Sequence, residues 1–160
     1  MRNILKILEM ATAAGRKTNH IKITNGSWMP LTIEEIGLGP HGLRAISVCH
    51  YGEQNGDAMR DPEMCFEVTA GNKVAMYPYY FRNDYMGTER EVYSEIDGKK
   101  MVNVREKRDQ AAFAKVWDRN IKDQGFVEAY KASLTDVCLC GAATLNGKCS
   151  VAGCVASVKA

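Results

Sequence analysis

The spacing of apolar residues changes once along the chain, and that change constrains the fold more than any other feature. Ile21 and Ile23 alternate with polar residues, and so do Met29, Leu31 and Ile33, with Asn25-Gly26 as the turn between the two runs. Period-two alternation is the mark of a half-buried strand. Ile46 and Val48 within Arg44–Tyr51 make a third set, Met64, Phe66 and Val68 a fourth, and the aromatic run Lys73–Phe81 a fifth. Glu91–Ile96 and Lys100–Arg105 read as a hairpin closed at Asp97-Gly98. From Asp109 the period lengthens: Phe113, Val116, Trp117 and Ile121 lie on one helical face, and Gly125 suits the position just past the helix end. A short helical extension through Phe126, Val127 and Tyr130 follows. Ahead of the strands, Ile4, Leu5 and Leu8 share a face of a first helix, with Asn3 as its expected N-cap and Gly15 as its stop. The order helix, strands, helix predicts an α+β fold: an antiparallel sheet of five to seven strands with an N-terminal and a C-terminal helix on one face.

At 160 residues the chain suits one domain, and folding at that size hides roughly 70% of the unfolded surface. We expect the α+β domain to occupy residues 1–132 and a cysteine-bearing tail to occupy 133–160. A formal charge of +2 argues against a strongly basic nucleic-acid binder, whose affinity rests on many phosphate contacts. Lys6 and Glu9 interrupt any signal-peptide hydrophobic region, and no run approaches the roughly 18 apolar residues of a membrane span. The expected location is the cytoplasm, without a membrane partner. Its six cysteines would then be reduced or metal-bound.

The densest polar run is His50–Met64. Read as a loop of about ten residues between neighbouring strands, it exceeds the usual hairpin connection. In the plainest reading Asn55-Gly56 is a turn and Arg60 pairs with Asp57 or Asp61, so that the loop folds on itself. In a second, His50, Tyr51, Glu53, Gln54, Asn55, Asp57, Arg60, Asp61 and Glu63 face a protein or nucleic-acid partner, joined by Asn83, Asp84 and Tyr85 if the two segments adjoin. In a third, His50, Glu53, Asp57, Asp61 and Glu63 hold a divalent metal for hydrolysis. Tyr77, Tyr79, Tyr80, Phe81 and Tyr85 suggest base stacking beside Lys73, Arg82 and Arg90, although aromatics are also good strand formers. Trp117 reads as core; Asp118, Arg119, Lys122 and Asp123 read as a solvated helix face.

The run HYGEQNGDAMRDPEMCFEV, with Phe81–Gly87 and Trp117-Asp118-Arg119-Asn120, resembles an uncharacterised domain family of bacterial phages and conjugative or integrative elements. The likeness extends over about residues 1–132 and brings no activity with it. What it implies is a setting: an accessory gene of mobile DNA, near replication, modification or antirestriction functions.

In the tail, Cys138, Cys140, Cys149 and Cys154 follow the pattern C-x-C-x8-C-x4-C. Four thiolates in so short a span can complete a structural tetrahedral Zn²⁺ site, although neither pair has the usual C-x2-C spacing. Packing of small residues, disorder, and disulfide or redox chemistry remain alternatives. Cys49 and Cys65 fall in strands and read as small buried hydrophobes. No nucleophile elbow, phosphate-binding glycine loop or zinc-protease helix is present. The expectation is a non-enzymatic mobile-element protein that inhibits a host defence nuclease (anti-CRISPR or antirestriction) by protein–protein binding. The alternatives are a nucleic-acid-binding accessory module and a metal-dependent hydrolase using His50 and the loop carboxylates.

Overall fold

A computed structural model describes residues 1–71, 74–135, 144–145 and 148–149. Helix α1 spans Arg2–Ala13 and buries Ile4, Ile7, Leu8 and Ala11 in one stripe. Six antiparallel strands follow, each beside the next: β1 (His20–Ile23), β2 (Leu31–Leu38), β3 (Arg44–Gln54), β4 (Asp57–Val68), β5 (Met76–Asn83) and β6 (Thr88–Glu91). Strands β7 (Tyr93–Ile96) and β8 (Lys99–Val102) form a separate hairpin, turned at Asp97 and Gly98 with φ of 52° and 71°. Helices α2 (Val104–Asp123) and α3 (Phe126–Thr135) close the domain, and the residue pairs Thr144–Leu145 (β9) and Lys148–Cys149 (β10) lie beyond it. The expected α+β architecture is the observed one.

The core lies between one face of the sheet and the three helices. Ile21, Ile23, Leu31, Ile33, Ile46, Val48, Met64, Phe66 and Val68 meet α1 and the Trp117, Ile121, Phe126 and Val127 side chains. Adjacent positions point to the reverse face, as strand geometry requires. That face carries Thr32, Ser47, Cys49, Glu63, Cys65 and Glu67, in register across β2, β3 and β4.

Several boundaries differ from expectation. Strand β5 runs Met76–Asn83 where the sequence predicts Lys73–Phe81, and β8 ends at Val102 and not at Arg105. Three further differences have a local reason. The last long helix begins at Val104, ahead of Asp109, because the Asn103 side chain accepts the Glu106 N–H at 3.0 Å. Asn3 lies within α1 and is not its cap. The α1 N-terminus is instead met from α2, where the Asp118 carboxylate accepts the Arg2 and Asn3 N–H groups, each at 3.0 Å. Asp118 therefore leaves the solvated face and sits where the helix dipole favours an anion. Met29 precedes β2 and is exposed, so the second strand begins at Leu31. No described helix is long and apolar enough to cross a membrane.

Candidate binding site

The polar run from His50 to Met64 is a hairpin, which corrects its reading as a loop. Asn55-Gly56 closes the tightest common β-turn, with φ of 55° and 87°, the left-handed pair that a two-residue hairpin needs. Tyr51 pairs with Arg60, Gly52 with Met59, Glu53 with Ala58 and Gln54 with Asp57. The pairing of β2 with β3 stops at Leu31 and His50, and that of β5 with β4 starts at Arg82 and Glu63. Residues 51–62 thus form an arm whose ladder bonds are internal from Gly52 to Met59, while at its base the Tyr51 N–H donates to the Pro30 carbonyl at 3.3 Å. With no helix against either side, nothing there selects alternating apolar residues, and the run reads as polar.

At the base of the arm, Asp61 and Pro62 together stand opposite His50. This extra residue is a β-bulge, a place where a strand tolerates proline because one ladder bond is already missing. Several bonds hold the base against the β5–β6 turn. The Arg60 N–H donates to Asp84 Oδ2 at 2.9 Å, and the Asp84 N–H donates back to the Arg60 carbonyl at 2.9 Å. Arg60 Nε lies 2.8 Å from Glu63 Oε2, Arg82 Nε 2.6 Å from Asp84 Oδ1, and the Ser47 hydroxyl donates to Glu63 Oε1 at 2.6 Å. Asn83 Nδ2 donates to Asp61 Oδ1 at 2.6 Å. The Arg60 backbone N–H first, and then the Arg82 guanidinium, hold the Asp84 carboxyl below its ordinary range. Arg60 therefore pairs with Glu63 and Asp84, and not with Asp57 or Asp61. The expected adjacency of the Asn83–Tyr85 turn and the central segment is present.

These contacts divide the expected site residues into two groups. Arg60, Asp61, Glu63, Asn83 and Asp84 are held within the fold. Glu53, Gln54, Asn55 and Asp57 are exposed on the outer arm, and the Tyr85 hydroxyl rests 3.3 Å from the Glu53 carbonyl as its donor. Tyr51 is half-buried on the reverse face, and burial pushes its hydroxyl up to about 12. His50 points the other way. It is buried, donates from Nδ1 to the Met29 carbonyl at 3.0 Å, and packs its ring 5.7 Å from Trp117 and 5.2 Å from Phe126. Its Nε2 has no hydrogen-bond partner among the described residues, and burial lowers its pKa.

That orientation dismantles the hydrolytic constellation. His50 faces the helices, Glu63 faces the opposite side, Asp61 is bound by Asn83, and Glu53 and Asp57 lie at the outer end of the arm. Among the described residues no three His, Cys, Asp or Glu side chains are placed to share a metal. Of the expected zinc ligands, Cys138, Cys140 and Cys154 lie outside the described residues, as does the Cys149 side chain. Cys49 and Cys65 are buried, and burial first, then the Glu63 carboxylate, pushes both thiols up to about 12. Such thiols stay protonated and are poor nucleophiles.

The aromatic strand divides its residues between the two faces, with Tyr77 and Tyr80 opposite Glu67 and Cys65 on the reverse face. Phe81 turns to the core side and meets Phe113 edge-on at 5.3 Å, while the Tyr80 hydroxyl donates to Glu89 at 2.7 Å. Tyr77 remains exposed. Lys73 lies outside the described residues.

Sequence reasoning missed two features. One is the rest of the arm's flank, of which the sequence singles out only Tyr85. Trp28 (53% exposed), Met29 (39%), Tyr85 (44%) and Met86 (73%) belong to the two turns beside it. Gly52 joins them, since a β-carbon there would lie 2.6 Å from the Tyr85 hydroxyl and 3.2 Å from Met29 Sδ. No spacing rule links residues so far apart in sequence, and the alternation of Met29 with Leu31 and Ile33 points Met29 to the core instead. The other is a clamp on the reverse face. Glu67, buried, accepts the His41 N–H and faces His41 Nδ1, both at 2.6 Å, and Gly39 packs so closely that a β-carbon would overlap the Glu67 side chain. The His41 ring meets Tyr93 edge-on at 4.7 Å, so this clamp also seats the β7–β8 hairpin.

A family model described as a domain of unknown function, DUF6908, matches residues 2–127. The chain belongs to this family. The DUF6908 match runs from α1 to the start of α3 and so includes the arm, the β5–β6 turn and the Trp117–Asn120 segment, and it ends before the cysteine tail. Neither the curated proteins nor the solved structures contain a match to the chain.

Proposed function

We propose that this DUF6908 protein is a non-enzymatic binding protein that occupies a partner protein through the β3–β4 arm. One observation carries the reading. The base of the arm is tethered to the β5–β6 turn, while its outer acidic residues Glu53 and Asp57 have no internal partner; exposed Met29 and Tyr85 lie against Gly52, and exposed Trp28 and Met86 adjoin them in the same turns. An apolar centre with a charged rim is the usual anatomy of a protein interface, and Trp, Tyr and Met are enriched in it. The free charges at the arm are negative, which favours a partner with a basic rim and disfavours direct contact with phosphates.

The likeness of His50–Val68 to accessory proteins of phages and mobile elements points to a host defence nuclease as the partner, in the cytoplasm. Such enzymes carry basic nucleic-acid channels, and an acidic arm with apolar flanks would obstruct one by occupying it. The test is copurification of the tagged protein from a lysate containing restriction and CRISPR effectors, before and after nuclease digestion. We expect a nuclease effector to remain bound after digestion. Loss of every partner on digestion would instead favour a nucleic-acid module and overturn the protein-binding reading.

A further inference from the structure

We infer that the tip of the arm is a site of spontaneous chemical modification: Asn55 converts to aspartate and isoaspartate in the folded protein, whereas Asn25 is protected. The chain contains three Asn-Gly pairs, Asn25-Gly26, Asn55-Gly56 and Asn146-Gly147, and the last lies outside the described residues. Asn-Gly is reactive because glycine has no side chain to shield its backbone nitrogen. That nitrogen attacks the Asn carboxamide carbon, closing a five-membered succinimide and releasing ammonia. Water then opens the ring at either carbonyl, giving aspartate or isoaspartate. No oxidant or further reactant is needed.

The two described pairs differ in what holds the carboxamide. Asn25 Nδ2 donates to the Gln124 carbonyl at 2.6 Å, at the junction of α2 and α3. A β-carbon on Gly125 would lie 2.9 Å from that same nitrogen, so the amide is wedged between the β1–β2 connection and the helices. Swinging its carbon toward the Gly26 nitrogen requires the junction to open. Asn55 is exposed, its side chain makes no hydrogen bond, and a β-carbon on Gly56 would meet nothing within 4 Å. Its φ of 55° has to change before the ring can close. The ladder bonds that resist this belong to the outer arm, Gly52–Gln54 against Asp57–Met59, which pairs only with itself, and such elements open locally without unfolding the sheet.

Conversion of Asn55 adds a carboxylate between Glu53 and Asp57, and the isoaspartate product adds a backbone atom that disturbs the two-residue turn. Where the arm binds as proposed above, ageing of the tip alters that surface; the conversion itself does not depend on that reading. The experiment is peptide mapping by mass spectrometry of the folded full chain after incubation at mildly alkaline pH, beside a urea-denatured sample. Trypsin separates the two sites into the peptides 23–44 and 45–60. Incubation continues until the denatured chain has converted both. We expect Asn55 to exceed Asn25 in the folded chain by on the order of tenfold, the ratio that a barrier difference of about 1.4 kcal/mol gives. Equal conversion at the two sites, or an intact Asn55 in the folded chain at that time, would overturn the inference.

Discussion

The body of the sheet and its arm are built from the same two strands and held by different forces. From Arg44 to His50 and from Glu63 to Val68, β3 and β4 are central strands, with Ile46, Val48, Met64 and Phe66 fully buried beneath the helices. Beyond the bulge the same strands lose both neighbours, and the arm depends on a two-residue turn and on polar tethers to Asp84 and Asn83. Apolar burial is non-directional and fixes which face points inward. Tethers are directional and fix where the arm points. The body is therefore expected to unfold cooperatively and the arm to come loose by itself.

The largest effect should come from the body. Phe66→Ala removes a side chain with no solvent exposure and should cost about 3–5 kcal/mol, read as a lowered midpoint of urea unfolding; a loss below about 1 kcal/mol would mean that the core is not packed as described. Next, Asp84→Ala leaves the Arg60 N–H and the Arg82 Nε–H without their acceptor, while the Arg60 guanidinium keeps Glu63. We expect a loss of about 1–3 kcal/mol, together with faster hydrogen exchange at Gly52, Gln54 and Arg60 than at Ile46 and Val48. Uniform acceleration across all these amides would erase the distinction between arm and body.

Acid separates the two regions further. Burial holds the His50 imidazole below its ordinary 6.5, so under that pH the unfolded chain takes up a proton that the folded chain refuses. Stability of the body is full above about 6.5 and falls as the pH drops toward the folded value. Asp84 behaves otherwise. It is held below its ordinary 3.8, so its contribution is present above that value and is lost as the pH falls through the folded pKa. Urea unfolding between pH 7 and pH 5 should therefore show a decline that His50→Gln flattens and Asp84→Asn does not; the same slope in parent and His50→Gln would contradict this. The smallest effect belongs to Gly52→Ala. Its new methyl group meets only the ends of Tyr85 and Met29, so stability should stay within about 1 kcal/mol of the parent. The Tyr85 ring should shift, which its aromatic proton resonances would report.

The body was legible in the sequence because Ile21, Ile23, Ile46, Val48, Met64 and Phe66 alternate with polar residues, and Trp117 and Ile121 recur at helical spacing. The hairpin at Asp97-Gly98 was legible from its turn residues. The arm was misread for the complementary reason. Tyr51–Arg60 has no buried face, so its only strand signal was Asn55-Gly56, and the polar side chains outweighed it. His50 was assigned to the polar cluster by its neighbours in sequence, although one step of strand alternation turns it to the core beside Val48. The partners of Arg60 could not be read, because Asp84 reaches it only through the pairing of β4 with β5. The same holds for Glu67 and His41, which the β2–β3 connection brings together.

The central claim is that the outer arm and its flanks bind a partner while the base of the arm only supports them. Its most direct test is the affinity of the retained effector for the parent protein and for the triple variant Glu53→Ala, Asp57→Ala, Tyr85→Ala, measured after nuclease digestion and with thermal melting as a check on folding. The account predicts a loss of at least about tenfold, or roughly 1.4 kcal/mol, with a melting temperature close to that of the parent. A folded variant that binds the effector as tightly as the parent would contradict it.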